Sequence, residues 1–304
     1  MEQLSTNNAE YNFIKTYTSL YFHDDVLAIE RLNGHSLSHH YKVCCLHGIY
    51  KFRFVSHKQS SESIRLIVSS TECHILFEHI IDYIHINETS NDCIISHWIP
   101  GTTAAMFVSV NPDKIEQTAL SIANVLQNLH QQNNNLCPHT TIEILGFCKY
   151  MRELFSSSSK SIPHLESYLE LLSKNSDITP HKIGVCHSDL HLKNIIINDN
   201  GVANLIDLEN LSVSDIWRDF VYATTFYENE YEKKLWRSTL LNYFSNRIPD
   251  EFWHYNFIYS TIKMLHMCMF ELKQGNDGFV KKVSNDFYRI YNELSDPVPI
   301  YFKK

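Results

Sequence analysis

His187-Ser188-Asp189-Leu190-His191-Leu192-Lys193-Asn194 runs straight into Ile195-Ile196-Ile197, then Asn198-Asp199-Asn200-Gly201, then Val202-Ala203-Asn204-Leu205-Ile206-Asp207. Two short apolar runs parted by Asn-Gly are a strong hairpin signal, because a two-residue type I′ turn needs positive φ at both central positions. With Asn200-Gly201 as the loop, Asp199 faces Val202, and counting back sets Asn194 opposite Asp207. An amide oxygen and a carboxylate side by side suit Mg2+, which takes one or two protein oxygens and keeps phosphate and water for the rest. Asp189 lies on the loop that feeds the hairpin, where a base for a substrate hydroxyl would stand. His187 and His191 have the spacing of a zinc pair on a helix, but the Ile run beyond them favours a strand.

The pattern H-x-D-x-x-x-x-N, followed by Ile206-Asp207-Leu208-Glu209, resembles a segment of the kinase-like small-molecule phosphotransferases. In that family of aminoglycoside phosphotransferases and choline kinases, the catalytic loop reads roughly H-G-D-x-x-x-x-N and the metal segment I-D-[WFL]-[ED]. The resemblance implies that Asp189 is the catalytic base and that Asn194 and Asp207 hold Mg2+, the roles such residues have in protein kinases. The chain departs from the family at Ser188, where glycine is usual, and at Leu192, where proline is frequent. Leu208-Glu209 in place of Phe-Gly argues against a protein kinase. Asp215 and Asp219 continue the family pattern, and Asp219 reads as a brace for the loop.

Composition narrows the classes. A chain of 304 residues with 44% hydrophobic and 20% charged content is globular, with room for one large or two smaller domains. No apolar run reaches the length of a membrane span, and the polar N-terminus lacks a signal-peptide core. The eight cysteines show no C-x-x-C pair, which fits free thiols in a cytoplasmic protein. A net charge of −8 disfavours nucleic acid and is compatible with a cationic substrate.

Upstream, Tyr11, Phe13, Ile14 and Tyr17 mark a helix, and Gly34 with neighbours such as Ser36 reads as a strand–turn–strand. In Tyr50-Lys51-Phe52-Arg53-Phe54 the aromatics share one face of a strand and the two bases the other. Residues 69–80 look helical, and Asp92–Pro100 reads as a buried strand stopped by Pro-Gly. Asn111-Pro112-Asp113 suggests an N-cap for a helix whose apolar positions run from Ile115 to Leu129. The resemblance implies that Gly34 and Ser36 belong to a loop over the ATP phosphates and that Arg53 binds phosphate, with Lys51 as its substitute. It further implies that Glu72 orients Arg53 and that backbone groups of Ser96 and Trp98 hold the adenine.

The expected architecture is an α+β, two-lobed, protein-kinase-like fold, with a β-rich N-lobe over 1–99 and a mainly helical C-lobe over 100–304. The expected function is ATP- and Mg2+-dependent O-phosphorylation of a small cationic acceptor by a monomer or homodimer, with no nucleic-acid or membrane partner. The aromatic and acidic residues beyond 221 could hold such an acceptor. A choline, ethanolamine or thiamine kinase is the alternative of the same class. A nucleotide-binding pseudo-enzyme or regulatory module is the alternative from another class.

Overall fold

A computed structural model describes residues 2–32, 38–56, 80–86, 91–132, 143–156, 158 and 160–303. The chain divides into two compact units, Met1–Gly101 with Asn204–Leu211, and Thr102–Ala203 with Ser212–Lys304.

In the first unit, helix α1 (Glu2–Tyr17) precedes five antiparallel strands: β1 (Val26–Leu32), β2 (His39–Cys45), β3 (Ile49–Ser56), β4 (Ile80–Ile86) and β5 (Asn91–His97). Their order is β1-β2-β3-β5-β4, so β3 is central. Phe52 and Phe54 face a core built with Ile14 and Tyr17 of α1, Tyr41, Val43 and Ile95. Lys51 and Arg53 take the opposite face of β3, and both are buried. Charges held there need partners inside the unit. Ile80 opens β4, where the sequence suggested a helix ending; Ile80, Ile81, Tyr83 and Ile84 suit a pleated ladder beside β5. The rest of that expected helix, including Glu72, lies outside the described residues, as do Gly34 and Ser36.

The second unit is mainly helical. It opens with β6 (Thr102–Thr103), α2 (Ala104–Val110), α3 (Ile115–His130), α4 (Ile144–Ser156) and α5 (Leu165–Lys174). Strands β7 (Ile183–Cys186) and β8 (Ile195–Ile197) follow, and β9 (Ala203–Leu205) leads into the Asn204–Leu211 segment of the first unit. Then come β10 (Ser212–Asp215), α6 (Val221–Thr225), α7 (Glu230–Tyr243), α8 (Asp250–Lys273) and α9 (Asp277–Ile290). Met151, Tyr168, Leu169, Phe257, Leu265, Phe287 and Tyr291 join α4, α5, α8 and α9 in one core. Helix α3 buries Ile115, Ala119, Ile122, Ala123, Leu126 and Leu129 at the spacing the sequence showed. Asn111 does not cap it: a 3-10 turn at Pro112–Lys114 intervenes, and the Asn111 amide donates to the Phe107 carbonyl, closing α2 instead.

The reversal after β8 corrects the expected turn. The Asn198 N–H donates to the Val202 carbonyl at 3.0 Å, and the Gly201 N–H to the Asn198 carbonyl at 2.9 Å. The loop is therefore the three residues Asp199-Asn200-Gly201, and positive φ falls on Gly201 alone, at 76°. Asn198 directs this choice: its Oδ1 accepts the Asn200 and Val202 amides at 3.0 and 2.9 Å, stabilising the wider loop. The register moves by one residue, so the count that set Asn194 opposite Asp207 fails.

Candidate active site

In the first unit, the carboxylate of Asp207 is the focus of β3. Lys51 Nζ donates to Asp207 Oδ1 at 2.9 Å, and Arg53 Nη1 donates to the same oxygen at 3.3 Å. Alternation explains the convergence, since residues two apart on a strand share a face. Burial alone would raise the Asp207 carboxyl, but Lys51 and then Arg53 overcome it and hold the group well below the usual carboxylate range. Asp207 adopts a left-handed backbone, φ 60°, and a 3-10 turn over Leu208–Asn210 follows. Strand β5 contributes Ser96, whose neighbours across the two ladders are Lys51 and Ile80. The Trp98 N–H donates to the Ile49 carbonyl at 2.9 Å, so this amide is already engaged.

In the second unit, Asp189 sits on the loop after β7. Its Oδ1 accepts from Tyr222 OH at 3.0 Å and from Lys263 Nζ at 3.1 Å. Burial works to raise the Asp189 carboxyl, but Lys263 and His191 outweigh it and keep the group below its ordinary value. Lys263 is held above its ordinary value: burial opposes its charge, and Tyr222 and Asp189 more than offset that. The Tyr222 phenol is pushed up to about 12, chiefly by burial. Asn194 is buried, and its Nδ2 donates to the Asp189 carbonyl at 3.0 Å, tying the two residues of the motif together.

A buried carboxylate fixes the loop from behind. Asp219 accepts the backbone amides of His187 and Ser188, each at 2.7 Å, and lies 3.1 Å from His130 Nε2. His130 in turn meets Tyr243 OH at 2.7 Å. Asp219 thus braces the loop, as the sequence suggested, and His130 is a structural partner. Ser188 has φ 68°, the left-handed region where glycine is at ease, which gives a physical reason for glycine in the related motif. Its hydroxyl lies 2.7 Å from that of Ser212.

Taken each by itself, the two residues offer oxygen chemistry that suits a hard cation: Asn194 commits its Nδ2 to the Asp189 carbonyl, and Asp207 is held below the usual carboxylate range. Among the described residues no cluster of three His, Cys, Asp or Glu side chains is arranged to hold a metal, and His187 is fully buried beside the loop.

Sequence reasoning missed Lys263 and Tyr222. Tyr222 is one of many aromatics beyond position 221, and Lys263 stands on α8, 74 positions beyond Asp189. Its one sequence signal is a lone cation among Ile262, Met264 and Leu265. Next to Tyr222 and His191 opens a cavity of about 1000 Å3 within the same unit, walled also by Phe226, Trp236, Phe287 and Tyr301. No helix among the described residues is long and apolar enough to cross a membrane.

The model of a family described as the phosphotransferase enzyme family matches residues 85–250. Solved structures with similar folds include aminoglycoside phosphotransferases. A thermostable mutant of APH(4)-Ia in ternary complex with ADP and hygromycin B has a TM-score of 0.68 at 13% identity, over 91% of this chain and 98% of that one. The streptomycin–ATP–APH(2")-IIa ternary complex gives 0.65 at 13% identity, over 91% and 97%. The GDP complex of wild-type aminoglycoside 2'-phosphotransferase-IIIa gives 0.66 at 13% identity, over 92% and 97%. At such identities the likeness is one of fold, and the fold is protein-kinase-like, α+β, with a β-rich first unit and a mainly helical second. No curated protein matches the chain in sequence.

Proposed function

This chain belongs to the phosphotransferase enzyme family, and on that premise we propose that it is an ATP-dependent kinase for a hydroxyl of a small molecule. Asp189 accepts the hydroxyl proton or aligns the oxygen; a new bond forms from that oxygen to the γ-phosphorus, and ADP leaves with the electron pair of the broken P–O bond. Asn194 and Asp207 are the residues that would hold Mg2+, which when bound supplies positive charge to the phosphate oxygens. Arg53 steadies phosphate oxygens, and Lys51 shares the task, because both reach the same carboxylate. Backbone groups at Ser96 and Trp98 are assigned to the adenine, with Trp98 acting through its carbonyl. The N-lobe is assigned to 1–99 and the C-lobe to 100–304.

The observation that carries this reading is the state of Asp189. It is a carboxylate kept ionised, about a third exposed, on a loop pinned by two backbone amides, and it is held by Tyr222, which lines a cavity of small-molecule size. A base must be both ionised and reachable, and this group is both. The expectation of a cationic acceptor came from overall acidity and from an aromatic, acidic segment, and its test belongs with the pocket itself. An amino-alcohol kinase remains within the same mechanism, since it changes only what fills the cavity. The retained ionised base disfavours a pseudo-enzyme.

Mg·ATP should raise the melting temperature of the protein, and a coupled assay should detect acceptor-dependent ADP release. Asp189→Asn should keep the thermal shift and lose the release. Turnover persisting in that variant would remove Asp189 from the chemistry.

A further inference from the structure

The four carboxylates that line the cavity next to Tyr222 and His191 are all engaged by the protein itself. Lys193 Nζ lies 2.7 Å from Glu228, Lys233 Nζ 3.2 Å from Glu230, and Lys282 Nζ 3.0 Å from Asp286, which Arg289 also contacts. Glu232 is buried and serves α7, accepting the Glu228 amide at 2.9 Å and the Asn229 side chain at 3.2 Å. Lining acids and lining bases are equal in number, four of each. Two aromatic faces that could receive an ammonium are occupied as well: Lys233 stands 4.2 Å from the Tyr301 ring centre and Lys263 5.1 Å from that of Tyr222.

Several of these pairs are exposed and weak, so a ligand ammonium could exchange with a lysine. Such an exchange yields no net attraction, because the displaced lysine remains in the wall. A polycation gains from a surplus of negative charge, and this wall has none. The charge at the reacting end points the other way. The Lys263 ammonium has three donors; Asp189 Oδ1 takes one at 3.1 Å, and the side chain is 30% exposed.

We propose that the acceptor carries an anionic group, a carboxylate or a phosphate, close to the hydroxyl it presents to Asp189, and that Lys263 is the counter-ion for that group. This rests on the kinase reading above. Lys263 then serves twice: it holds the Asp189 carboxylate in place in the free protein, and, standing against the ring of the cavity-lining Tyr222, it receives the acceptor's anionic group when a hydroxyl reaches Asp189. Net positive acceptors of the aminoglycoside and choline type are poor fits to a self-neutralised wall.

The test is a coupled ADP-release assay with Mg·ATP over five acceptors: glycerate for the carboxylate, glycerol phosphate for the phosphate, glycerol as the neutral reference, and choline and kanamycin as cations. Wild type should favour glycerate or glycerol phosphate over glycerol. Lys263→Met should raise the KM for that acceptor about tenfold or more and erase its preference over glycerol, while Lys263→Arg should restore most of it. A merely structural lysine would lower all acceptors together and leave the preference unchanged. Choline or kanamycin turned over more efficiently than both anionic acceptors overturns the proposal. So does the absence of both turnover and thermal stabilisation with glycerate and glycerol phosphate. Those results leave the kinase reading standing if Mg·ATP still stabilises the protein; failure of Mg·ATP to bind ends both.

Discussion

Asp207 and Asp189 each give one carboxylate oxygen to two donors at about the same range, yet the donors come from different kinds of structure. Asp207 meets Lys51 at 2.9 Å and Arg53 at 3.3 Å, two cations set on one face of one strand by simple alternation. Asp189 meets Lys263 at 3.1 Å and Tyr222 at 3.0 Å, one cation and one neutral phenol, from α8 and α6. The bases of the first cluster are buried, 8% and 11% exposed at their side chains, while Lys263 is 30% exposed. The two carboxylates are themselves similarly exposed, 27% at Asp207 and 31% at Asp189, so the contrast lies in their cations: one acid sits on buried bases, the other on a lysine that solvent reaches. Burial makes a lost partner costly, and exposure lets water replace it.

The largest contrast follows from removing each acid. Asp207→Ala and Asp189→Ala should both cut kcat by about a thousandfold or more in a coupled assay. Their stabilities should separate. Asp207→Ala leaves two buried cations without their shared carboxylate and should cost about 2–4 kcal/mol by urea denaturation. Asp189→Ala should cost about 1 kcal/mol or less, because Lys263 can turn to solvent. Equal losses in the two variants would break the comparison.

The brace behind the Asp189 loop gives the next effect. Asp219→Ala strands the buried amides of His187 and Ser188 and removes a partner of His130. A buried donor left unsatisfied costs about 1–3 kcal/mol, so the variant should lose about 2–4 kcal/mol in total. Its kcat should fall more than its nucleotide KM rises, because the loop carries the base and not the Lys51–Arg53 pair.

Acid titration sharpens the comparison. Both carboxyls are depressed in the folded protein, against an ordinary aspartate value of about 3.9. The unfolded chain therefore takes up protons first as pH falls. The stability these pairs supply is fully present above about pH 4 and is lost as pH drops through their folded values. The stability difference between wild type and Asp207→Ala should thus hold steady from about pH 7 to 5 and shrink below about pH 4. Asp189 should contribute no acid limb to kcat/KM over the same neutral-to-mildly-acid range.

The same contrast explains what the sequence could reveal. Strand β3 was legible because its alternation is local, and the partition of Phe52 and Phe54 from Lys51 and Arg53 needs no tertiary knowledge. The loop carrying Asp189 and Asn194, and the Asp219 brace, were legible through motif spacing. Helix α3 was legible from its apolar period. The hairpin was half legible: Asn-Gly marked the reversal, but Asn198 Oδ1 competed for the Asn200 and Val202 amides and selected a three-residue loop. Lys263 was not legible, since nothing local distinguishes a lysine that will reach a carboxylate 74 positions earlier. The pairing of the pocket acids escaped for the same reason. Nothing local to Glu228 shows its partner, and composition counts a paired acid and a bare one alike.

Ser188 offers the smallest effect and the finest test of how the exposed site is held. Its left-handed backbone costs a non-glycine residue about 1–2 kcal/mol, and glycine at this place would relieve that strain. Glycine also loses the 2.7 Å contact between the Ser188 and Ser212 hydroxyls, worth about 0.5–1.5 kcal/mol, and raises the entropy of the unfolded chain by a similar amount. The gains and losses nearly cancel, so Ser188→Gly should lie within about 1 kcal/mol of wild type and keep its activity. Ser188→Ala keeps the strain and loses the contact, so it should be the least stable of the three by chemical denaturation. An alanine variant as stable as wild type would mean that the Ser212 contact contributes nothing, and that the Asp219 carboxylate alone holds the backbone in this conformation.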